Sequence, residues 1–342
     1  MSDLVIARAP GKLFVLGEYA VLDGCPAVVA AVDRHVEVAL QRTRSSTVRI
    51  AAPGFCDPLE FSAGASPVPS DALRFVLAAY RAAYERALLE IPQVGMDIRV
   101  VSRLATADGV NSGLGSSAAV TVATVAALFA TADREARLSE WRDAVFATAL
   151  DAHRMAQGGI GSGADVAASV YGGVLSFEPR DVRLPRVTPL ALPADATLLA
   201  AWSGDSASTP ELVKHYLAMR NGTQAARAAF VATSRQCVAQ FVSELSRGVV
   251  PLDALDANGA ALDQLGVTLG VSLVTPRLHE IIAIARAHGA GAKVSGAGGG
   301  DCGIALTANP VAAETIRTAW RAAHLTPLDL QICQEGVTVG RG

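Results

Sequence analysis

Residues 111–121, Asn-Ser-Gly-Leu-Gly-Ser-Ser-Ala-Ala-Val-Thr, constrain this chain more than any other stretch, because a polar glycine loop runs directly into a long Ala/Val/Thr helix. Gly113 and Gly115 let backbone approach an anion without a Cβ in the way. Ser116, Ser117 and Ala118 would present the free N–H groups and positive dipole end of that helix. With Asn111 and Leu114 completing it, the loop is a phosphate cradle, and the Ser117 hydroxyl could ligate a magnesium ion as the Ser/Thr of other phosphate loops does. Two other readings fit the same run. One is a capped turn. The other is a dinucleotide fingerprint, Gly113-x-Gly115-x-x-Ala118, with Asp133 about 20 residues on. That fingerprint needs a strand running straight into the first glycine, whereas the strand pattern at residues 96–101 ends upstream and polar residues 105–112 intervene.

At 342 residues and 51% hydrophobic content the chain can bury a large core, and its length suits two domains of roughly 100–200 residues each. A net charge of −3 gives no reason to expect nucleic acid or an acidic membrane surface as partner. Cys25, Cys56, Cys237, Cys302 and Cys333 are scattered, odd in number and without C-x-x-C spacing, which reads as reduced thiols in a cytoplasmic protein. Residues 1–9 carry Asp3 and Arg8 and lack the apolar core of a signal peptide. Residues 109–132 are uncharged and long enough to span a bilayer, but they open on Asn, Ser and Gly, so a buried helix over 116–132 explains them better. Of 29 basic residues only Lys12, Lys214 and Lys293 are lysines. Each is a candidate for work that needs a compact ammonium, although chance survival explains Lys214 equally well.

In chain order, residues 4–9 read as a strand that meets a second, 13–16, at Pro10-Gly11-Lys12, ahead of Gly17-Glu18-Tyr19. Residues 27–32, 35–40, 48–50, 59–61 and 97–101 continue a strand pattern. Asp71 opens a helix with Leu73, Val76, Leu77 and Tyr80 at helical spacing. A helix over 140–157 stops at Gly158-Gly159-Ile160-Gly161-Ser162-Gly163, which delivers Asp165 to a further helix start. There Asp165 is either an ordinary first-turn carboxylate or a catalytic one in a glycine-lined site. Residues 171–177 form a strand, and the Pro/Arg-rich segment 178–193 is the expected linker, giving domains over 1–185 and 186–342. A strand over 197–202 ends in a hydroxyl-rich loop with Ser206, Ser208 and Thr209, which suits a phosphate or polyol. A turn capped by Thr209 with Pro210 at the first helical position accounts for the loop equally well. Ala-rich helices follow at 210–220, 224–247, 252–270 and 276–288. Beyond Lys293, Gly296-Ala297-Gly298-Gly299-Gly300-Asp301 lies between two short strands, and four glycines in five positions allow backbone to lie against a ligand. A helix over 310–323 and strands within 328–339 close the chain. Strands and helices do not alternate singly, so the class is α+β.

Three ordered motifs, Pro-Gly-Lys-x₅-Glu-Tyr, Gly-Leu-Gly-Ser-Ser-Ala-Ala and Ser-Gly-Ala-Gly-Gly-Gly-Asp-Cys-Gly, resemble those of the GHMP small-molecule kinases over nearly the whole chain. Within that superfamily the segments 161–167, 202–209 and 293–306 are most similar to the phosphomevalonate kinase branch. Mevalonate kinases usually have glycine where Asp301 stands. One departure is Gly109, where the second motif commonly begins with proline. The resemblance implies a ribosomal-protein-S5-type N-terminal domain, a ferredoxin-like C-terminal domain and a site between them. It also implies ATP with magnesium as cofactors and 5-phosphomevalonate as acceptor, handled by a cytoplasmic monomer or homodimer. By the same resemblance Lys12 and Asp165 are the catalytic pair, placed side by side, and Glu18, Tyr19, Ser162, Gly163, Ser206, Ser208, Thr209, Lys293, Gly296, Ala297, Gly298, Gly299 and Asp301 bind the substrate. A phosphate acceptor is already mostly ionised at neutral pH, its second pKa being about 6. Asp165 is therefore expected to act mainly through Lys12 or the metal, with base catalysis the weaker option.

Overall fold

The computed structural model describes residues 4–65, 67, 70–86, 94–104, 112–131, 138–180, 184–219 and 223–342. Asn111, Gly109 and Asp133 lie outside these.

Two sheets organise the chain. The first runs β12-β1-β2-β5-β3-β4, from strands β1 (Leu4–Leu16), β2 (Ala27–Arg42), β3 (Thr47–Ala52), β4 (Cys56–Ser62), β5 (Met96–Ser102) and β12 (Thr338–Arg341). All its pairs are antiparallel except β3 with β5. β2 is long enough to pair twice, carrying β5 on its second half and β6 (Val174–Glu178) on its first, and β7 (Arg186–Leu190) extends β6. The second sheet, β11-β8-β10-β9, is built from β8 (Thr197–Trp202), β9 (Gly291–Val294), β10 (Cys302–Thr307) and β11 (Thr326–Leu328). Its strand order and its intervening helices make it a β-α-β-β-α-β unit.

Several expected boundaries shift for identifiable reasons. Residues 4–16 form one strand, not two: the chain passes through Pro10-Gly11 by a change of register against β2, without a turn. Residues 27–42 are likewise one strand, whose register jump skips Asp33 and Arg34. The first helix, α1 (Arg74–Arg86), starts three residues beyond Asp71. The expected linker contains β7, which pairs with β6. β7 and β12 therefore bring two segments of the 186–342 half into the first sheet.

The buried face of the first sheet is covered by α2 (Ser116–Thr131) and α4 (Ala164–Tyr171), and α1 and α3 (Leu138–Ala156) pack on α2 in turn. α2 packs on β1, β2, α1, α3 and α4, which explains its uniformly apolar sequence. Its buried Thr121 and Thr124 return their hydroxyls to the carbonyls of Ser117 and Val120, both at 2.7 Å, so no polar group is stranded. No helix among the described residues is long and apolar enough to cross a membrane. The second sheet is flanked by α5 (Thr209–Leu217), α6 (Gln224–Ser246), α7 (Leu252–Leu269), α8 (Pro276–Ala287) and α9 (Pro310–Ala322). Its core of Leu199, Ile281, Ala305, Ile316 and Trp320 is fully or nearly fully buried. All five cysteines are free thiols.

Candidate active site

The glycine loop is tied to β1 at two points. The Lys12 backbone N–H donates to the Leu114 carbonyl at 2.8 Å, and the Lys12 ammonium donates to the Gly113 carbonyl at 3.0 Å. These bonds explain why both loop glycines are glycine. A Cβ on Gly113 (φ 73°) would lie 2.5 Å from the Asp301 Cβ, and one on Gly115 (φ 80°) would lie 2.8 Å from the Lys12 Cγ. The space a side chain would fill belongs to Lys12 and Asp301. Leu114 and Ala118 are fully buried and anchor the loop and the first turn of α2 in the core. Ser116 and Ser117 face a cavity of about 570 Å³ at the helix N-terminus. No acidic residue occupies the first turn of α2, so its positive end is left for an anion.

The same cavity receives Lys12, Glu18, Tyr19, Gly113, Gly115, Ser162, Asp165, Thr209, Gly296, Ala297 and Asp301. Its lining also includes the apolar side chains Val36, Phe55, Phe75, Val76, Val100 and Val120.

Lys12 and Asp165 share the cavity without pairing. The Asp165 carboxylate sits in the first turn of α4, where one oxygen accepts the Val166 N–H at 2.9 Å and the other lies 3.8 Å from His153 Nε2. Among the described residues Lys12 makes no ion pair, because its stem lies along Gly115 and its ammonium is held by the Gly113 carbonyl. The charged-group neighbour that the structure gives Asp165 is His153, which also comes within 3.2 Å of Ser117 Oγ. The sequence held one signal for it, a histidine on the buried face of a helix shared with Val145 and Ala149. Gly163 faces away, since a Cβ there would meet Leu150 at 2.2 Å. Ser162 lines the cavity and its hydroxyl accepts the Ala164 N–H at 3.2 Å.

The third glycine loop divides into a ligand face and a structural face. Lys293 is fully buried and outside the cavity lining. It donates to Glu18 Oε1 at 2.5 Å, joining the second sheet to the segment that follows β1. Burial pushes its pKa down, while the Glu18 charge and hydrogen bond oppose that shift. Glu18 Oε1 also accepts the Gly296 N–H at 3.3 Å, and Oε2 has no partner among the described residues. Tyr19 donates to the Ala297 carbonyl at 2.5 Å. Gly298 and Gly299 are packing positions: their added Cβ atoms would meet the Leu273 carbonyl at 2.3 Å and Leu212 at 3.0 Å.

Asp301 clips this loop to the hydroxyl-rich one. Its N–H donates to the Asp205 carbonyl at 2.8 Å, its carbonyl accepts the Ser203 N–H at 2.8 Å, and its carboxylate accepts the Ala207 N–H at 3.4 Å. Burial pushes the Asp301 carboxyl up, while the Ala207 bond and the Lys12 charge pull it down. All three loop hydroxyls are exposed, and of them Thr209 lines the cavity whereas Ser206 and Ser208 lie outside the lining. Ser208 is the N-cap of α5 in place of Thr209, because Pro210 sits one position further into the helix than expected, and Ser208 makes no side-chain cap bond.

The sequence profile for the GHMP kinase N-terminal domain matches residues 74–173, and that for the GHMP kinase C-terminal domain matches residues 251–325. A phosphomevalonate kinase of Streptomyces sp. is 34% identical, the match covering 97% of this chain and 98% of that protein. The chain belongs to the GHMP kinases. This GHMP kinase is also 30% identical to the mevalonate kinase of Pyrococcus abyssi over 99% of its own length and 98% of the relative's. Its fold matches that of Streptococcus pneumoniae phosphomevalonate kinase in complex with phosphomevalonate and AMPPNP, with a TM-score of 0.79 over 96% of this chain and 99% of the other. At 20% identity that likeness concerns the fold.

Proposed function

We propose that this GHMP kinase transfers the γ-phosphoryl group of ATP to the phosphate of 5-phosphomevalonate, giving ADP and 5-diphosphomevalonate in the mevalonate route to isoprenoids. The observation that carries the reading is that the N-termini of α2 and α5 open into one cavity together with Lys12. Two helix ends suit two anionic groups: the nucleotide phosphates at Gly113, Gly115, Ser116 and Ser117, and an acceptor phosphate near Thr209, although the first turn of α5, unlike that of α2, carries an acid of its own, Glu211. The N-terminus of α4 is already answered by the Asp165 carboxylate through Val166 N–H. The full-length likeness to the Streptomyces phosphomevalonate kinase supports the same acceptor, and so does Asp301, whose carboxylate shapes the acceptor loop in a way glycine could not. In this reading residues 1–185 supply the nucleotide side and 186–342 complete the acceptor side, in a cytoplasmic enzyme.

In the transfer, an oxygen of the acceptor phosphate forms the new P–O bond and the bond from the γ-phosphorus to the β–γ bridging oxygen breaks. Such reactions need positioning and charge stabilisation more than covalent help. Lys12 is assigned to the charge that builds on the transferred group. Among the described residues no group of three or more His, Cys, Asp or Glu could hold a metal, which fits a magnesium ion carried by the triphosphate and needing only one or two protein oxygens. Ser117 and Asp165 face the cavity and would supply them. When bound, that ion neutralises charge on the β- and γ-phosphate oxygens.

Mevalonate as acceptor is the second reading, supported by the Pyrococcus relative. It would require Asp165 as a base for the hydroxyl proton. ADP release measured side by side with phosphomevalonate, mevalonate, homoserine and galactose separates the two. Turnover with phosphomevalonate alone is expected. Turnover with mevalonate alone overturns the acceptor, and none with any of the four overturns the assignment to this pathway.

A further inference from the structure

His153, in the last turn of α3, is 2% exposed and is used by no step above. Three other helices converge on it. Its ring stacks on Phe75 of α1 with centroids 5.3 Å apart and planes 28° from parallel. Its Nε2 lies 3.2 Å from Ser117 Oγ on α2 and 3.8 Å from Asp165 Oδ2 on α4. A neutral imidazole has one N–H and one lone pair, and its neighbours select which nitrogen carries the proton. The Asp165 oxygen is too distant for a hydrogen bond, but its negative charge favours an N–H over a lone pair at Nε2. Ser117 Oγ can either donate or accept, so the carboxylate decides.

We propose that His153 is a positioning residue whose Nε2–H donates to Ser117 Oγ beside Asp165, holding both side chains in one arrangement and turning the Ser117 proton toward the cavity. A hydroxyl has one proton and two lone pairs. His153 takes one lone pair, so Ser117 meets the nucleotide as a donor with one lone pair to spare. In the other tautomer Ser117 would give its proton to His153 and present only lone pairs to phosphate oxygens. The inference rests on the assignment of Ser117 and Asp165 to the nucleotide phosphates and their magnesium ion.

The tautomer is read directly on the full-length, ligand-free protein labelled with ¹⁵N, by long-range proton–nitrogen correlation of the histidine rings. A protonated Nε2 is expected; an unprotonated Nε2 overturns the proposal whatever the enzyme phosphorylates. In kinetics, His153→Leu should lower kcat about 10- to 100-fold with the KM for ATP changed less than about threefold, because orientation is lost and binding is not. His153→Gln keeps an N–H on that side chain and should recover most of the loss. The double variant Ser117→Ala/His153→Leu should fall no further than the poorer single variant, since both act through one contact. Additive losses, or a glutamine variant as slow as the leucine one, refute a positioning role. A protonated Nε2 in an enzyme that ignores phosphomevalonate overturns only the acceptor.

Discussion

Replacing Lys293 with methionine keeps most of the side-chain volume and removes one charge from a pair whose side chains are 0% and 2% exposed. The ammonium now donates to Glu18 Oε1 and to the Val294 carbonyl, each at 2.5 Å. Without it, among the described residues Glu18 Oε1 keeps only the Gly296 N–H at 3.3 Å, and Oε2 still has no partner. A carboxylate shut away from water is then left nearly uncompensated. Breaking a buried pair from one side in this way costs about 3–5 kcal/mol. For 342 residues, an unfolding entropy of about 2 cal/mol/K per residue converts that into a Tm lower by about 4–7 °C. Removing both charges with Lys293→Met/Glu18→Gln should return stability to within about 1 kcal/mol of the parent. Calorimetric Tm and urea midpoints at constant m-value measure all three proteins. A single variant that loses less than about 1 kcal/mol, or a double variant as unstable as the single, would refute the idea that this pair is desolvated and joins the two sheets. It would also restore Lys293 as a group free to meet a ligand.

Lys12→Met should cut kcat by about two orders of magnitude, as loss of one preorganised charge-stabilising donor does, with ATP affinity by calorimetry little changed; arginine should rescue it poorly, because a planar fork does not replace an ammonium seated on the Gly113 carbonyl. Gly113→Ala should abolish turnover while the protein stays folded, since its Cβ would overlap Asp301 in a left-handed backbone; normal kcat/KM would show that the loop has room to move. Asp301→Asn tests the buried acid. Its folded-state pKa is raised above the unfolded value, so the folded state holds the proton longer and wild-type stability falls as pH rises through that window. The asparagine variant, which tolerates the local φ of 57°, should therefore gain Tm relative to wild type toward neutral pH while losing kcat/KM for phosphomevalonate. A Tm difference that is flat from pH 4 to pH 8 would contradict the direction of the shift.

The parts of the site that were legible in the sequence are those whose chemistry is local. Gly113, Gly115, Ser116 and Ser117 announce a helix N-terminus by their own spacing, and Pro10-Gly11-Lys12 marks a place where a strand is disturbed. His153 was not legible, because its value lies in reaching Ser117 at a separation of 36 residues, which no helical period encodes. Lys293 misled for the opposite reason. Scarcity of lysine singled it out for ligand work, yet its partner Glu18 is 275 residues away and the two serve each other. Ser206 and Ser208 carry the right chemistry for an acceptor, but their loop brings Ala207, Thr209 and Pro210 to the cavity lining instead. The strand formed by residues 186–190 was hidden by Pro189 and its charged neighbours, which suit the edge position it takes beside β6.

The pairing of β12 with β1, from Val5 opposite Arg341 to Arg8 opposite Thr338, has a consequence during synthesis. β1 carries Lys12 and leaves the ribosome well before β12, so one of its edges lacks this neighbour until residues 338–341 follow it. Translation at about 5–20 residues per second makes that an interval of tens of seconds. Through it the nascent first sheet offers an open row of N–H and C=O groups, the kind of edge on which other chains add. Deletion of residues 338–341 should therefore register first as aggregation during expression, before any change in the kinetics of the molecules that survive.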